Sequence, residues 1–435
     1  MSPDILLINP GDLSSPYPPM GLIELASFLE RGGYRVMVTD LSLGWERLER
    51  SLSLQPKVAG VSVLFGLIRQ AQRVVEIIKR RSDCKVILGG YYPTFMPFHS
   101  LRTIPDVDFV VLGEGELPAL RLMNFLSSKE KELEKIDGIA YRQDDGQLKI
   151  QYSHSQLDLR NLPPLDLTLL DLNEYPRKEG RRVFTVSCSR GCNRGCSFCS
   201  QFRFWGGNVR FKPPATIIET IAQARHLYGV DYIRLLDDNF LLSSDIWQPI
   251  SQYLEETHVP WECQASEELV TPEILRTLKE RGLDRWFTGL ETASSRMQRV
   301  LNKNINLNHA REMISLARKL GIRTKVSFQI GIPGETKQDI EETIKFASTL
   351  EVDDIALFLT TPFPGTRIEM IARKQGLLSE NVGLDLDPST PSMGTGFLTK
   401  EEVAEEAERF IERVKKAGWG HHSRKGRLTT AEEDQ

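Results

Sequence analysis

The sequence predicts an α/β protein of two domains: a doubly wound, flavodoxin-like or Rossmann-like parallel sheet, then a partial (β/α)6 barrel. The chain has 435 residues, too many for one domain of roughly 100–200 residues. Short apolar, β-branched runs alternate with amphipathic segments in both halves of the chain. Charged, hairpin-like and proline-rich stretches interrupt this alternation between residues 128 and 181, and they separate the two series.

Five apolar runs in the first series predict parallel strands, because strands covered by helices on both faces read as continuous apolar stretches. They lie at 5–8, 35–39, 58–63, 85–88 and 108–112. Helical periodicity follows at 21–31, 67–81 and 116–127. Ligands of such sheets bind beyond the carboxyl ends of the strands. The loops that follow these strands are therefore the candidate binding region.

Six runs in the second series predict the strands of the barrel, whose chemistry belongs at their C-terminal ends. They lie at 183–186, 232–236, 261–265, 285–290, 324–330 and 354–359. Thr399 and Glu402 form a capping box that opens a last helix ending near Lys416. The expected division is 1–130 (sheet domain), 131–181 (hairpin and linker), 182–376 (barrel) and 377–435 (helical cap and flexible tail). We expect His421 and His422, in the tail, not to bind metal.

Composition and charge exclude several classes of partner. The 59 acidic and 55 basic residues give a net charge of −4, which favours neither nucleic acid nor a membrane surface. The N-terminus lacks the pattern of a signal peptide, and no apolar run approaches the roughly 18 residues of a membrane span. The expected location is the cytoplasm. There, six cysteines indicate metal binding or redox chemistry rather than disulfides.

Four of the six cysteines lie between residues 188 and 199. Cys192, Cys196 and Cys199 have the spacing CxxxCxxC, directly after the first strand of the second series. Three thiolates are one short of the set that closes a structural zinc site or a conventional iron–sulfur site. Cys188 leaves two alternatives open: a CxxxCxxxC register over 188, 192 and 196, and a zinc site with Cys188 as the fourth ligand.

This loop, with Phe198 just before its last cysteine, resembles that of the radical S-adenosylmethionine (SAM) superfamily. The position of the aromatic residue favours the register 192, 196 and 199. The resemblance spans about residues 183–375 and implies a partial barrel in which the three thiolates hold a [4Fe–4S] cluster. It also implies that the fourth iron binds the amino and carboxylate groups of SAM, and that one-electron reduction yields a 5′-deoxyadenosyl radical.

The same resemblance implies a SAM site at the ends of the later strands. The family places acids near the SAM amino group, a polar residue near the ribose, and a backbone ledge near the adenine. The residues that match these places or the cysteine loop are Phe198, Asp237, Asp238, Glu291, Gln329, Gly331, Gly334 and Glu335. Where many relatives have an arginine, this chain has Ala265 and Ser266. Arg210 and Lys212 are therefore the candidates to bind the SAM carboxylate.

The first domain resembles the cobalamin (B12)-binding-type domain of a large radical SAM subfamily, through residues 18–22, 89–95 and 113–116. The cobalamin-binding residues that this implies are Pro10, Pro19, Gly21, Ser62, Leu64, Gly89, Gly90, Tyr91, Gly113, Glu114 and Glu116. The better-known version of the domain carries DxHxxG, whose histidine ligates cobalt. Here residues 40–45 read DLSLGW, so we expect cobalamin without histidine ligation and interpret His99 as an ordinary loop residue.

The two resemblances together imply a radical SAM enzyme, a cobalamin-dependent methyltransferase that acts on an unactivated carbon of a small molecule. The alternative is a radical SAM enzyme that performs deoxygenation, dehydrogenation, cyclisation or rearrangement without cobalamin. A third class is an electron carrier or a zinc-stabilised interaction module, which metal content would distinguish. We expect a flavodoxin or ferredoxin type of low-potential electron donor, oxygen sensitivity, and a substrate chosen partly by residues 378–420. The sequence identifies neither the substrate nor a catalytic side chain beyond the cofactor ligands.

Overall fold

A computed structural model describes residues 2–11, 17–153, 156–378, 386 and 389–417, and the backbone of 428–429. The chain divides into two compact units, residues 1–180 with 222–229, and residues 181–221 with 230–435. Both units alternate strands and helices, which confirms the predicted α/β class. His421 and His422 lie outside the described residues. No helix among the described residues is both long and apolar enough to cross a membrane.

The first unit contains a seven-stranded sheet in the order β2-β1-β3-β4-β5-β6-β7. Its strands are β1 (Ile5–Asn9), β2 (Val36–Asp40), β3 (Val58–Ser62), β4 (Lys85–Gly89), β5 (Phe109–Val111), β6 (Ile139–Arg142) and β7 (Leu148–Gln151). The first five are parallel, and β6 and β7 are antiparallel. The strand order reverses between β1 and β3, which is where sheets of this kind form a ligand crevice.

Amphipathic helices cover this sheet because their apolar faces pack on the buried strands. They are α1 (Met20–Arg31), α2 (Glu46–Leu52), α3 (Ile68–Arg81), α4 (Tyr91–Phe95), α5 (Pro97–Thr103) and α6 (Glu116–Leu126). Ile5 and Leu7 of β1 share a core with Ile23 of α1 and Leu122 of α6. The hairpin predicted around Gly146 is present, with φ +83° at that glycine. It also extends the first sheet, because β6 pairs with β5.

The second unit contains six parallel strands followed by helices, as predicted, and a short seventh strand at one edge. Its strands are β8 (Val183–Val186), β9 (Ser189–Arg190), β10 (Arg210–Phe211), β11 (Tyr232–Leu235), β12 (Trp261–Gln264), β13 (Leu283–Glu291), β14 (Arg323–Ile330), β15 (Asp354–Leu359) and β16 (Leu428–Thr429). The main sheet has the order β16-β15-β14-β13-β12-β11-β8. A separate antiparallel ribbon joins β9 to β10.

Six helices of this series begin at a residue whose side chain accepts a hydrogen bond from the first turn. The helices of the series are α7 (Gln201–Phe204), α8 (Pro214–Tyr228), α9 (Ser244–Glu256), α10 (Pro272–Glu280), α11 (Ser295–Val300), α12 (Leu307–Lys319), α13 (Lys337–Ala347), α14 (Arg367–Lys374) and α15 (Lys400–Lys416). Thr399 and Glu402 form the predicted capping box at the start of α15. Thr336 and Asp339 form a second capping box at α13, so both helices begin at positions set by their own sequence.

Candidate functional site

The loop that carries the cysteines follows β8 and is closed at its base by the ribbon of β9 and β10. Just beyond the ribbon, the Lys212 backbone N–H donates to the Cys188 carbonyl at 2.8 Å. Gly191 has φ +99°, and a Cβ there would collide with the carbonyl of Asn208. A glycine is therefore required for the chain to turn into the loop.

Three further hydrogen bonds hold the loop against the rest of the second unit. The Ser197 backbone N–H donates to the Leu301 carbonyl at 2.8 Å, and the Ser197 carbonyl accepts from the Ile368 backbone N–H at 2.9 Å. The side chain of Asn302 donates to the Gly195 carbonyl at 3.0 Å. The positions of the cysteine side chains are therefore set by contacts from two other segments of the unit.

Cys192, Cys196 and Cys199 are half-buried free thiols whose electrostatic interactions with one another show that they lie close together. Burial raises the pKa of each thiol, that of Cys199 to about 12. Metal binding must therefore displace protons from them. Among the described residues, no group of three or more His, Cys, Asp or Glu side chains is placed to hold a single metal ion. Three neighbouring thiols fit an iron–sulfur cluster, in which each thiolate binds a different iron.

Cys188 differs from the other three cysteines of the segment. Its side chain is completely buried, and its backbone N–H donates to the Asp237 carboxylate at 3.1 Å. Burial, then the negative charge of Asp237, raises the pKa of this thiol well above its usual value. Cys188 therefore lies at the end of β8 as a protonated thiol, and the expected ligand set remains the three half-buried cysteines.

The two aspartates after β11 have different environments. Asp237 is buried and accepts hydrogen bonds from the Ser189 hydroxyl and the Cys188 backbone. The Asp238 carboxylate has no hydrogen-bond partner among the described residues, and it interacts electrostatically with Cys192 and Cys199. Burial, with a smaller contribution from Asp237, raises the pKa of Asp238 to about 6. Of the pair, Asp238 is the carboxylate available to a ligand beside the thiols.

Glu291 forms a buried ion pair that the sequence analysis missed. Its carboxylate lies 2.8 Å from Lys303 Nζ, with the two side chains 8% and 11% exposed. Gln329 Nε2 donates to the second carboxylate oxygen at 3.3 Å. A Cβ on Gly289 would collide with this carboxylate and lie 2.9 Å from Lys303 Nζ, so the pair requires the glycine. Glu291 itself has φ +60°, a strained conformation for a residue other than glycine.

Lys303 and Arg194 are the cations that interact with the thiols. Lys303 Nζ lies 5.9 Å from the ring centre of Phe198, and it interacts electrostatically with Cys196. Arg194 also interacts with Cys196, and it pairs with Glu268 at 3.2 Å. The only sequence signal for Lys303 was that an acid at a buried strand end needs a cation.

The two cations expected from the sequence have other surroundings. Lys212 is buried, and its Nζ donates to the Ser187 hydroxyl at 3.2 Å. Its charge acts on Asp237 and Cys188. Arg210 is half-buried in β10. The structure thus places Lys303 and Arg194 near the half-buried thiols of the loop. Lys212 instead lies near the buried side chains of Cys188 and Asp237.

The turn after β14 is closed on itself by a buried acid. Gly331 and Gly334 have φ +84° and +85°. Glu335 is completely buried, and one of its carboxylate oxygens accepts from the backbone of Gly331 at 2.6 Å and of Ile332 at 3.2 Å. Burial raises the pKa of Glu335 to about 8, so the acid is protonated at neutral pH.

The C-terminal segment uses the next backbone groups of this turn. The Gly334 N–H donates to the Thr395 carbonyl at 2.7 Å, and the Thr395 hydroxyl donates to the Glu335 carbonyl at 2.7 Å. Phe198 packs in the same apolar cluster as Ile332 and Met393. The backbone N–H groups of Gly331, Ile332 and Gly334 are thus occupied within the protein, and Ile332 of the turn shares its apolar cluster with Phe198.

In the first unit, the residues expected to bind cobalamin lie at the C-terminal ends of the strands. Ser62 ends β3, Gly89 ends β4, and Leu64 is 45% exposed just beyond β3. Gly90 has φ +102°, and a Cβ there would lie 2.9 Å from the Val63 carbonyl oxygen. Of the remaining residues, Pro10 follows β1, Pro19 precedes α1, and Gly113 and Glu114 lie between β5 and α6. The other three lie in the first turns of α1, α4 and α6: Gly21, Tyr91 and Glu116. The tips of β3 and β4 therefore approach closely and form a glycine-lined edge, which fits a large planar cofactor.

His99 is the one histidine between residues 1 and 130. It lies in α5, half-buried, with its Nδ1 2.8 Å from the Tyr92 hydroxyl and 3.2 Å from that of Thr103. Burial, then the charge of Arg102, lowers its pKa. The ring is held by Tyr92 of α4 and Thr103 of α5. The interpretation of His99 as a loop residue was wrong, because the chain forms the helix α5 there.

Family models match one stretch of the chain in each of the two units. Residues 186–347 match the family model of the radical SAM superfamily, and residues 10–122 match that of the B12 binding domain. An uncharacterized methyltransferase of Pyrococcus horikoshii is 29% identical, with 89% of this chain and 85% of that protein covered. An anaerobic magnesium-protoporphyrin IX monomethyl ester cyclase of Rubrivivax gelatinosus is 27% identical, with 83% and 68% covered.

A solved structure extends the likeness over nearly the whole chain. The radical S-adenosylmethionine methyltransferase TsrM of Kitasatospora setae, with cobalamin and a [4Fe–4S] cluster bound, superposes with a TM-score of 0.80. The match covers 99% of this chain and 92% of TsrM at 17% sequence identity. At this identity the likeness establishes the fold of both halves.

Proposed function

Since this chain belongs to the radical SAM superfamily and also carries a B12 binding domain, we propose that it is a cobalamin-dependent methyltransferase acting on a carbon of a small molecule. One observation carries the proposal. A loop with three neighbouring free thiols occurs in the same chain as a sheet domain whose strand order reverses between β1 and β3 and whose β3 and β4 end at glycine-lined tips. The methyltransferase names of a relative and of a solved structure that match most of the chain support it.

The chain's contribution at the thiol loop is to hold and orient cofactors. Cys192, Cys196 and Cys199 would bind three irons of a [4Fe–4S] cluster. When bound, the cluster and SAM supply one-electron cleavage of a carbon–sulfur bond, and cobalamin supplies a methyl carrier. Asp238, an unpartnered carboxylate beside two of the thiols, would receive the SAM amino group, because a positive group favours its charged form.

The SAM carboxylate needs a cation, and we assign it to Arg194 or Lys303. Both interact with Cys196, and Lys303 also faces the ring of Phe198. Glu291 would then orient Lys303 in addition to facing the ribose. The turn at 331–335 would contact the adenine through its glycine Cα atoms, with Phe198 beside it.

The proposal also includes two partners. We propose a small-molecule substrate and a low-potential electron donor of flavodoxin or ferredoxin type. Thr395 ties the segment before α15 to the turn after β14. Residues 377–435 are therefore proposed as a cap that helps choose the substrate.

The test requires no knowledge of the substrate. Anaerobically reconstituted protein is incubated with cobalamin, a reductant and SAM labelled in its methyl group. We expect label in the corrinoid fraction and release of S-adenosylhomocysteine. Cys196→Ala should lose cluster iron and this activity, whereas Cys84→Ala, in the first unit, should retain both. Absence of label from the corrinoid in iron-replete protein would contradict the proposal.

A second function keeps the radical chemistry and discards methyl transfer. It is favoured by the likeness to the Rubrivivax protein named as a cyclase. The reaction would be a deoxygenation, dehydrogenation, cyclisation or rearrangement, with the first unit as a substrate-binding module. Formation of 5′-deoxyadenosine without S-adenosylhomocysteine, in the presence of cobalamin and candidate substrates, would support it.

A further inference from the structure

A buried glutamate follows β12 and has a carboxylate oxygen without a hydrogen-bond partner. Glu267 is 1% exposed, and its Oε2 accepts no hydrogen bond among the described residues. Burial raises the pKa of this carboxyl, against the lowering effect of the Arg194 and Lys303 charges. The charged form of Glu267 therefore costs free energy until a donor reaches it. A buried acceptor of this kind indicates a partner that arrives with a ligand.

The segment that carries Glu267 is fixed on both sides. Ser266, just before it, exchanges two hydrogen bonds with the side chain of Asn239, at 3.0 and 3.2 Å. The Glu267 carbonyl accepts from His309 Nε2 at 3.1 Å. Asn239 directly follows Asp238, the carboxylate beside the thiols. Glu267 is therefore held at the C-terminal ends of the strands, in the same part of the unit as the cysteine loop.

Arg194 of the cysteine loop reaches the same segment. Its Nη1 lies 3.2 Å from a carboxylate oxygen of Glu268, and the arginine side chain is 15% exposed. The contact is an ion pair without the geometry of a hydrogen bond, so this buried nitrogen has no acceptor among the described residues. The guanidinium also interacts electrostatically with Glu267. A donor without an acceptor thus lies near an acceptor without a donor, and a ligand that carries both kinds of group would satisfy the two.

We propose that Glu267 is a SAM-binding residue whose carboxylate accepts a hydrogen bond from the α-amino group of SAM, while Arg194 binds the adjacent carboxylate. These two groups of SAM share one carbon atom, so their protein partners must lie close together, as Glu267 and Arg194 do. The amino group carries more than one N–H, so it can serve both Glu267 and Asp238. The inference rests on the proposed function, in which SAM binds beside the three thiols.

The test compares three ligands that differ at the relevant atoms. S-adenosylhomocysteine keeps the amino acid part of SAM but lacks the sulfonium charge, and 5′-methylthioadenosine lacks the amino acid part. Affinities are measured by equilibrium dialysis against anaerobically reconstituted, full-length protein. Glu267→Gln should weaken the binding of SAM and of S-adenosylhomocysteine about tenfold, the loss expected for one charge-assisted hydrogen bond. The affinity for 5′-methylthioadenosine should not change, and Arg194→Gln should show the same difference between ligands.

Stability and iron content distinguish this role from a structural one. Without SAM, Glu267→Gln should keep the iron content of the wild type. It should also unfold at the wild-type temperature or above, because the substitution removes a buried charge. Glu280→Gln is the matched control, since Glu280 is exposed at the other end of the helix that follows, α10. This control should leave all three affinities unchanged.

The remaining outcomes contradict the inference in different ways. An equal loss for all three ligands would mean that Glu267 acts on the adenosine part or on the fold, and a loss for SAM alone would mean that it acts on the sulfonium. Either result overturns the assignment to the amino group, and so do wild-type affinities in Glu267→Gln. A wild-type protein that binds none of the three ligands overturns the proposed function together with the inference.

Discussion

Replacing Lys303 with methionine should strongly destabilise the second unit, because it leaves the Glu291 carboxylate buried without its cation. The pair is 2.8 Å apart with side chains 8% and 11% exposed, so little water can solvate the remaining charge. Breaking a buried pair from one side costs about 3–5 kcal/mol. For a unit of this size that corresponds to a fall of roughly 10 °C in the unfolding temperature. Methionine keeps a side chain of similar length near Phe198, so the loss reports charge rather than volume.

The assay is thermal unfolding of the cofactor-free full-length protein, followed by circular dichroism. The double variant Lys303→Met with Glu291→Gln should recover most of the loss, because the isosteric amide is neutral. Lys337→Met is the matched control, since Lys337 pairs with Glu402 at 3.3 Å on the surface and its side chain is 55% exposed. Its effect should lie within the error of the measurement. A double variant no more stable than Lys303→Met would refute the argument from an unpaired buried charge.

Three further outcomes are expected. Glu335 has a folded-state pKa near 8 against 4.5 for an ordinary glutamate, so its contribution to stability is full below pH 4.5 and is lost as the pH rises to about 8. Urea unfolding at several pH values should show this loss, with a slope of at most about 1.4 kcal/mol per pH unit, and Glu335→Gln should flatten it. Gly90→Ala should destabilise the first unit by roughly 1–3 kcal/mol, because the residue has a positive φ and its new Cβ would contact Val63. Gly21→Ala, where a Cβ would meet no atom within 4 Å, should not destabilise the unit. Exposure to air should remove iron and activity from the reconstituted protein, and full activity after aerobic purification would contradict an open-site cluster.

Local sequence patterns were sufficient for the first five strands of the first sheet, for six of the seven strands of the second, and for the cap of α15. Continuous apolar runs predict buried parallel strands, because a strand that is covered on both faces does not alternate between apolar and polar residues. The capping box at Thr399 depends only on residues three positions apart. The turn at Gly146 requires a positive φ, which glycine readily adopts. Each of these features is determined by neighbours along the chain.

The contacts that complete the sites were not predictable, because tertiary packing forms them. Lys303 and Glu291 are 12 residues apart on different segments, and Asn302 and Gly195 are 107 apart. Nothing in the Asp237-Asp238 pair showed that the first would turn inward to the Ser189 hydroxyl. A buried acid is expected to have a hydrogen-bonding or charged partner, but only the folded structure determines which donor lies next to it.

The hydrogen-bonded base of the cysteine loop determines how the protein acquires iron. The ribbon of β9 and β10, with the Lys212 to Cys188 bond beyond it, joins the two ends of the loop through backbone hydrogen bonds that involve no cofactor atom. Much of the conformational entropy of the segment is therefore lost during folding and not during metal loading. Cluster assembly then resembles ligand docking into a prepared receptor, in contrast to zinc fingers, which fold only around their metal. Iron-free chains should consequently accumulate as folded, loadable protein.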